Sequence, residues 1–322
     1  MSTAANVTIH SSQFPDAVRR DLLASLRTRR VNHKFHYDSV KQTQKWLALH
    51  QAYSPTRNDA DCRAIYENGF AAAAEKIKAK QVHVIGLGCG GGQKDTRLLG
   101  LLKASGREIS YTPCDVSVAM TLVARQTALA VVPEKNCFPF VCDLATADDL
   151  PAALVTRHPS LVTFFGMIPN FEPEDILPKL AALVRPQDFL LFSANLAPGA
   201  DYAAGMKKIF PQYDNALTHD WLMAFLLNLG VENGDGELRF TIETGAAHLQ
   251  RVLAWFHFTH DRRIAVETEE FKFRSGESIQ LFFSYRYTLE LVQKNLARHG
   301  LTVRAQWLTK SAEEAVFLCQ QV

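Results

Sequence analysis

The chain of 322 residues has no apolar run long enough to cross a bilayer and no secretory hydrophobic segment near its start. Both absences fit a cytoplasmic protein that does not meet the membrane. Charge of one sign is also scarce. The formal net charge is +2, too small to create a field that draws in nucleic acid or an anionic surface. Basic residues come in short pairs, Arg19-Arg20 and Arg29-Arg30, as on solvated helix faces. The six cysteines, Cys62, Cys89, Cys114, Cys137, Cys142 and Cys319, form no CxxC pair and no zinc spacing. They read as reduced thiols acting as small hydrophobes. His257 and His260 lie in the alternating stretch WFHFTH, where residues three apart point to opposite faces, so no metal site is expected there. No internal repeat or low-complexity tract is present.

What remains is an ordinary globular composition, 47% hydrophobic and 21% charged, in a chain long enough for a large core. The N-terminal part reads as helices over 14–29, 40–50 and around 65–74. From Gln81 the pattern becomes strand–helix alternation. Strands are expected at 82–85, 109–114, 137–142, 161–165 and 189–194, with helices at 96–104, 116–130 and 173–184. That order predicts a parallel, doubly wound sheet. A helical stretch over 202–229 and a β-rich insertion over 238–273 interrupt it. Residues 289–299 then form a helix that ends at Gly300, and strands at 301–308 and 315–320 pair back as a hairpin.

Two features point to a nucleotide-like ligand. Gly86, Gly88, Gly90, Gly91 and Gly92 follow the first strand and open a helix, where glycine permits a sharp turn and close approach of a ligand. The spacing also fits a dinucleotide fingerprint, so the loop alone does not choose a cofactor. Asp115 and Asp143 end the second and third strands of this unit, at the sheet edge where open α/β folds bind ligands. Asp115 suits ribose hydroxyls and Asp143 suits an adenine amino group, a pairing more typical of S-adenosylmethionine sites than of nicotinamide sites. Neither Ile85 nor Gly86 supplies the acid that many methyltransferases carry at the end of the first strand.

The segments KFHYD (34–38), AYSPTR (52–57), GLGCGGGQKDTRLL (86–99), YTPCDVS (111–117), FFGMIPNFEP (164–173) and GESIQLFFSYRYT (276–288) occur in one order along nearly the whole chain. In these the chain resembles the histidine-specific Nα-methyltransferases of ergothioneine biosynthesis and their fungal dimethylallyltryptophan N-methyltransferase relatives. The resemblance implies an α/β fold: a Rossmann-like class I methyltransferase sheet (61–196 and 288–322) joined to a second, α+β substrate-binding domain (1–60 and 197–287). It implies S-adenosylmethionine as cofactor, held through Gly86, Gly88, Gly90, Lys94, Asp115 and Asp143. It also implies transfer of a methyl group, up to three times, to the α-amine of a small-molecule amino acid. Asn170 matches an asparagine that contacts that amine. Tyr37 and Tyr53 match tyrosines facing the amino acid head, and Tyr213 matches one that binds the carboxylate.

The chain departs from the pattern at Phe282, where histidine-specific members carry a glutamate that binds the imidazole. Ser284 is retained, and Val252 falls at a methionine that lines the imidazole pocket. Phe282 cannot accept a hydrogen bond, and a buried polar group without a partner costs ~1–3 kcal/mol. The expected substrate is therefore amino acid-like but not plain histidine. A methyltransferase of another small-molecule nucleophile, an NAD-dependent oxidoreductase and a non-catalytic cofactor-binding member are the competing readings.

Overall fold

The computed structural model describes residues 4–154, 156–245 and 248–321. The chain begins with β1 (Thr8–Ile9), α1 (Pro15–Thr28), α2 (Val40–Tyr53), α3 (Pro55–Asn58) and α4 (Ala60–Lys76). The alternating part follows as β2 (Gln81–Leu87), α5 (Gln93–Ala104), β3 (Glu108–Asp115), α6 (Val118–Ala128), β4 (Phe140–Val141), α7 (Leu150–Ala153), β5 (Ser160–Phe165), α8 (Pro173–Leu183) and β6 (Phe189–Asn195). Next come α9 (Tyr202–Ile209), α10 (Ala216–Asn228) and the strands β7 (Gly236–Thr244), β8 (Gln250–Phe258), β9 (Arg262–Val266), β10 (Glu269–Phe273) and β11 (Ser278–Arg286). The chain closes with α11 (Leu289–Arg298), β12 (Leu301–Leu308) and β13 (Glu314–Gln321).

The large sheet has the order β1-β4-β3-β2-β5-β6-β13-β12. Its strands from β1 through β6 pair in parallel, and β13 runs antiparallel to both neighbours. Helices cover both faces, so the inner strands are buried on both sides and read as continuous apolar runs. Along β2 the side chains alternate. Val82 and Val84 enter one core cluster with Tyr111 and Leu98, while Ile85 and Leu87 enter the other with Phe164 and Phe192. The connection after β2 goes to β3 on one side, and the chain later returns to place β5 on the other. The carboxyl end of β2 is thus a topological switch point, where such sheets open a crevice.

The insertion forms a three-stranded antiparallel sheet, β11-β8-β7, and the hairpin β9-β10. Its core joins α1 and α10 through Leu26, Trp221, Phe225, Phe256 and Phe282. Thr8–Ile9, from a stretch expected in the second domain, pairs with β4 at the edge of the large sheet.

Two elements differ from the sequence expectation. The strand expected over 137–142 keeps only Phe140–Val141, because Pro139 has no N–H to give the ladder. The helix expected over 202–229 breaks into α9 and α10. Pro211 sits in a 3-10 turn, and Asn215 then caps α10 by accepting from the Thr218 N–H.

Candidate active site

A cavity of about 680 Å³ opens at the carboxyl ends of β2, β3 and β5. The glycine loop forms its floor. Gly88, Gly90 and Gly92 have φ of +59°, +53° and +74°, in the left-handed region that glycine enters without strain. Gly86 serves a different need. A Cβ there would lie 2.2 Å from Asp95 Oδ2, and that buried carboxylate is held by the Tyr111 hydroxyl at 2.6 Å and the Thr163 hydroxyl at 2.7 Å. Gly86 therefore shapes the loop without lining the cavity, whereas Gly88 and Gly90 line it.

Asp115 lines the cavity at the end of β3. Its Oδ2 accepts from the Gly90 N–H at 3.2 Å and its Oδ1 from the Ser117 N–H at 3.1 Å. The Gly90 amide is thus occupied in fixing the acid. Burial raises the Asp115 carboxyl to about 6. Asp143 lines the cavity after β4. Its Oδ1 accepts from the Ala145 N–H at 2.9 Å, and its own N–H donates to Ser12 Oγ at 3.0 Å. Asp143 Oδ2 is buried and accepts no hydrogen bond, with Lys34 Nζ standing 3.5 Å away. Lys34 is itself buried and hydrogen-bonds Asp21 on α1.

Lys94 lines the cavity from the first turn of α5. Its Nζ donates to the Tyr66 hydroxyl at 2.8 Å and lies 4.0 Å from the centre of that ring. Tyr66 in turn hydrogen-bonds Glu314 and Ser193. Burial lowers the Lys94 ammonium.

The rest of the lining is aromatic and polar. Tyr37, Trp46 and Phe283 belong to it, with Asn170, the last residue of a 3-10 turn, Ile168–Asn170, that follows β5. Burial raises the Tyr37 phenol, which stays a neutral hydroxyl. His33 also lines the cavity. Its two ring nitrogens are buried without partners, its ring lies 4.5 Å from that of Phe283, and burial lowers it to about 3. Sequence reasoning passed over His33, Lys34 and Trp46. They sit on an irregular turn and on one face of a weakly amphipathic helix, where no periodicity or motif marks them.

Other expected residues stand elsewhere. Tyr53 is 56% exposed on the last turn of α2, outside the cavity wall. Val252 is fully buried in a cluster with Met206 and Ile209. Phe282 packs against Trp221, with ring centroids 5.5 Å apart, and its neighbour Phe283 takes the place at the cavity. The reason is the strand frame: a bulge between Gln280 and Phe282 resets the register of β11, and alternation then sends 282 and 283 to opposite faces. Ser284 and Tyr213 do not line the cavity. They hydrogen-bond each other at 2.9 Å, and Tyr213 joins Tyr37 and Phe282 in one apolar cluster.

The residues present fit an adenosyl cofactor. Asp143 Oδ2 accepts no hydrogen bond and has only the Lys34 ammonium at 3.5 Å, which leaves it able to take a donor such as an amino group, and Asp115 presents a second carboxylate in the same cavity. Among the described residues no group of three or more His, Cys, Asp or Glu is placed to hold a metal ion. None of the helices among those residues is long and apolar enough to cross a membrane.

Solved structures with similar folds include the magnesium protoporphyrin IX methyltransferase of Synechocystis PCC 6803 with bound S-adenosylhomocysteine. It is 12% identical, with 87% of this chain and 94% of that chain covered and a TM-score of 0.47. Another is the 1,6-didemethyltoxoflavin-N1-methyltransferase of Burkholderia thailandensis, 10% identical, covering 99% and 93% of the two chains with a TM-score of 0.44. No curated protein matches the chain. The family model described as "Histidine-specific methyltransferase, SAM-dependent" matches residues 18–321, nearly the whole sequence. The chain belongs to this family of S-adenosylmethionine-dependent methyltransferases.

Proposed function

We propose that this methyltransferase acts on the α-amine of an amino acid whose side chain is apolar or aromatic, and not on histidine. One observation carries the reading: Asn170 and Tyr37 line the same cavity as Asp115 and Asp143, so amine-directed groups and cofactor-directed acids share one space. Asp115 accepts from the ribose hydroxyls and Asp143 Oδ2 from the adenine amino group. Lys94 places a cation at the cavity floor for the cofactor's carboxylate. S-adenosylmethionine supplies a sulfonium methyl, an electrophile whose charge disperses as it is transferred. The Asn170 amide oxygen accepts from the substrate amine and turns its lone pair toward the cavity. Tyr37, a neutral hydroxyl at this pH range, hydrogen-bonds the same head group. With a neutral amine as nucleophile, alignment supplies most of the rate and no strong base is needed.

The selectivity follows from Phe283, Tyr37 and Trp46 in the cavity lining, which favour an apolar or aromatic side chain. We assign 61–196 and 288–322 to cofactor binding, and 1–60 and 197–287 to the substrate. The large sheet supports the first half of that division except at β1, which joins it from within 1–60, and the β7-β8-β11 sheet with α10 supports the second. The accepting atom is tested by fragmenting methylated products in a mass spectrometer. A methyl group on the α-nitrogen is expected, and one on a ring atom or an oxygen overturns the reading.

A further inference from the structure

Glu314 lines the cavity yet is only 6% exposed. It is the first residue of β13, which runs antiparallel to β6. Parallel strands present their last residues at the carboxyl edge of the sheet, as β3 presents Asp115. An antiparallel strand presents its first residue at that edge, and Glu314 accordingly pairs with Asn195 at the end of β6. The fold thus brings an acid to the ligand edge from the C-terminal hairpin, while β2 carries none at its end.

Among the described residues no cation touches Glu314 directly. Its Oε1 accepts from the Tyr66 hydroxyl, and its Oε2 accepts from the Cys62 thiol at 3.3 Å. Cys62 and Tyr66 are four apart on α4, so they share a face, and α4 packs on β13. A carboxylate has no hydrogen to give, so the Tyr66 hydrogen goes to Glu314. The Tyr66 oxygen then accepts from Lys94 Nζ at 2.8 Å and from the Ser193 hydroxyl at 2.7 Å. Ser193 Oγ in turn accepts from the Gly166 N–H at 2.9 Å, just before the turn that carries Asn170. The line from Lys94 through Tyr66 to Glu314 therefore joins a cation to an anion, and each hydrogen in it has one direction.

Lys94 is the end of that line that meets a ligand. Tyr66 takes one of its three ammonium hydrogens, and among the described residues no other acceptor takes the rest. Burial lowers the Lys94 ammonium, and Glu314 is the foremost opposing charge. The other titratable groups facing it offer less. Burial raises the Tyr66 phenol and the Cys62 thiol, which stay neutral, and lowers His50 of α2 to about 4 with help from Lys94 and Arg57. Asp95, on the same helix as Lys94, is raised by burial and engaged with Tyr111 and Thr163.

We propose that Glu314 and Tyr66 are positioning residues for the amino acid end of the cofactor: Glu314 supplies the buried counter-charge, and Tyr66 transmits it to Lys94 and aims that ammonium at the cofactor's carboxylate. The line of hydrogen bonds stands on the geometry, and the role of Lys94 at the carboxylate rests on the proposed function.

The test is calorimetry with S-adenosylhomocysteine and decarboxylated S-adenosylhomocysteine, which keeps the adenosine and the amine. The native chain should bind the first roughly tenfold to a hundredfold tighter, and Lys94→Gln should erase that preference. In Glu314→Gln the burial of Lys94 is unopposed, so its proton leaves at lower pH. The preference should then fall about tenfold or more between pH 6.5 and pH 8.5, a range over which the native preference changes less. Tyr66→Phe keeps the ring, frees Lys94 from its anchor and should also lower the preference, so the proposal stays testable if Glu314→Gln does not fold. In both variants the decarboxylated ligand should keep its native affinity, whereas a merely structural role would weaken both ligands together. Equal losses for both ligands, or a preference that Lys94→Gln erases but Glu314→Gln and Tyr66→Phe leave intact, would overturn the proposal and leave Lys94 at the carboxylate. A native chain without the preference, or a preference that survives Lys94→Gln, would sink the Lys94 assignment and the proposal with it.

Discussion

Replacing Asp143 by asparagine reverses the hydrogen-bonding sense of one atom and leaves the shape nearly unchanged. In the native chain Oδ1 accepts from the Ala145 N–H at 2.9 Å, while Oδ2 is buried with no hydrogen bond. In Asp143→Asn the side-chain oxygen keeps Ala145, which forces the amide nitrogen into the Oδ2 position, 3.5 Å from Lys34 Nζ. The flipped amide instead sets two donors face to face at Ala145. Either way, on the proposed assignment, the cofactor's amino group loses a charged acceptor, a bond whose contribution is ~1.5–3 kcal/mol or roughly 10–150-fold in Kd. Calorimetric titration with S-adenosylhomocysteine should show that loss. A second ligand, S-inosylhomocysteine, carries a carbonyl oxygen where adenine has its amino group. Asp143→Asn offers that oxygen a donor, so the ratio of the two affinities should shift toward the inosine compound by about tenfold or more. An unchanged affinity for S-adenosylhomocysteine with an unchanged ratio would refute the assignment of Asp143 to the adenine ring.

Three further outcomes follow. Burial holds the Asp115 carboxyl at about 6, and ribose hydroxyls need its ionised form, so S-adenosylhomocysteine affinity should fall about tenfold from pH 7 to pH 5. Asp115→Asn should flatten that profile; a native profile that is already flat would remove Asp115 from the ribose. Ligand-free stability has the opposite sign. A carboxyl raised on folding favours the native state below its unfolded value, and that contribution is lost as pH rises through about 6. Phe282→Glu places a carboxylate among Trp221 and the buried, uncharged His33, so urea melts should show a loss on the scale of ~3–5 kcal/mol and histidine should gain no turnover. Histidine methylation by a folded Phe282→Glu protein would show that this position faces the substrate.

The cofactor half was legible because its signals are local. Apolar runs such as Val82–Ile85 and Leu161–Phe165 end in glycine or lead to an acid, and a strand buried on both faces leaves that pattern. Asp115 and Asp143 could be placed from strand ends alone. Where a single proline decided the outcome, as at Pro139 and Pro211, the expected strand shrank and the expected helix split. The substrate half was less legible because its geometry depends on long-range register. No residue in GESIQLFFSYRYT announces the bulge before Phe282, yet that bulge decides which phenylalanine reaches the cavity. His33 matters through what surrounds it, aromatic rings and no hydrogen-bond partner, a condition that does not exist until the chain has folded.

The central claim is most directly tested by giving the protein methyl-labelled S-adenosylmethionine and an equimolar mixture of amino acids, then reading products by tandem mass spectrometry. The account predicts label on the α-nitrogen of an aromatic or apolar amino acid, with histidine unmodified. Preferential labelling of histidine, or label on any atom other than an α-nitrogen, would contradict it.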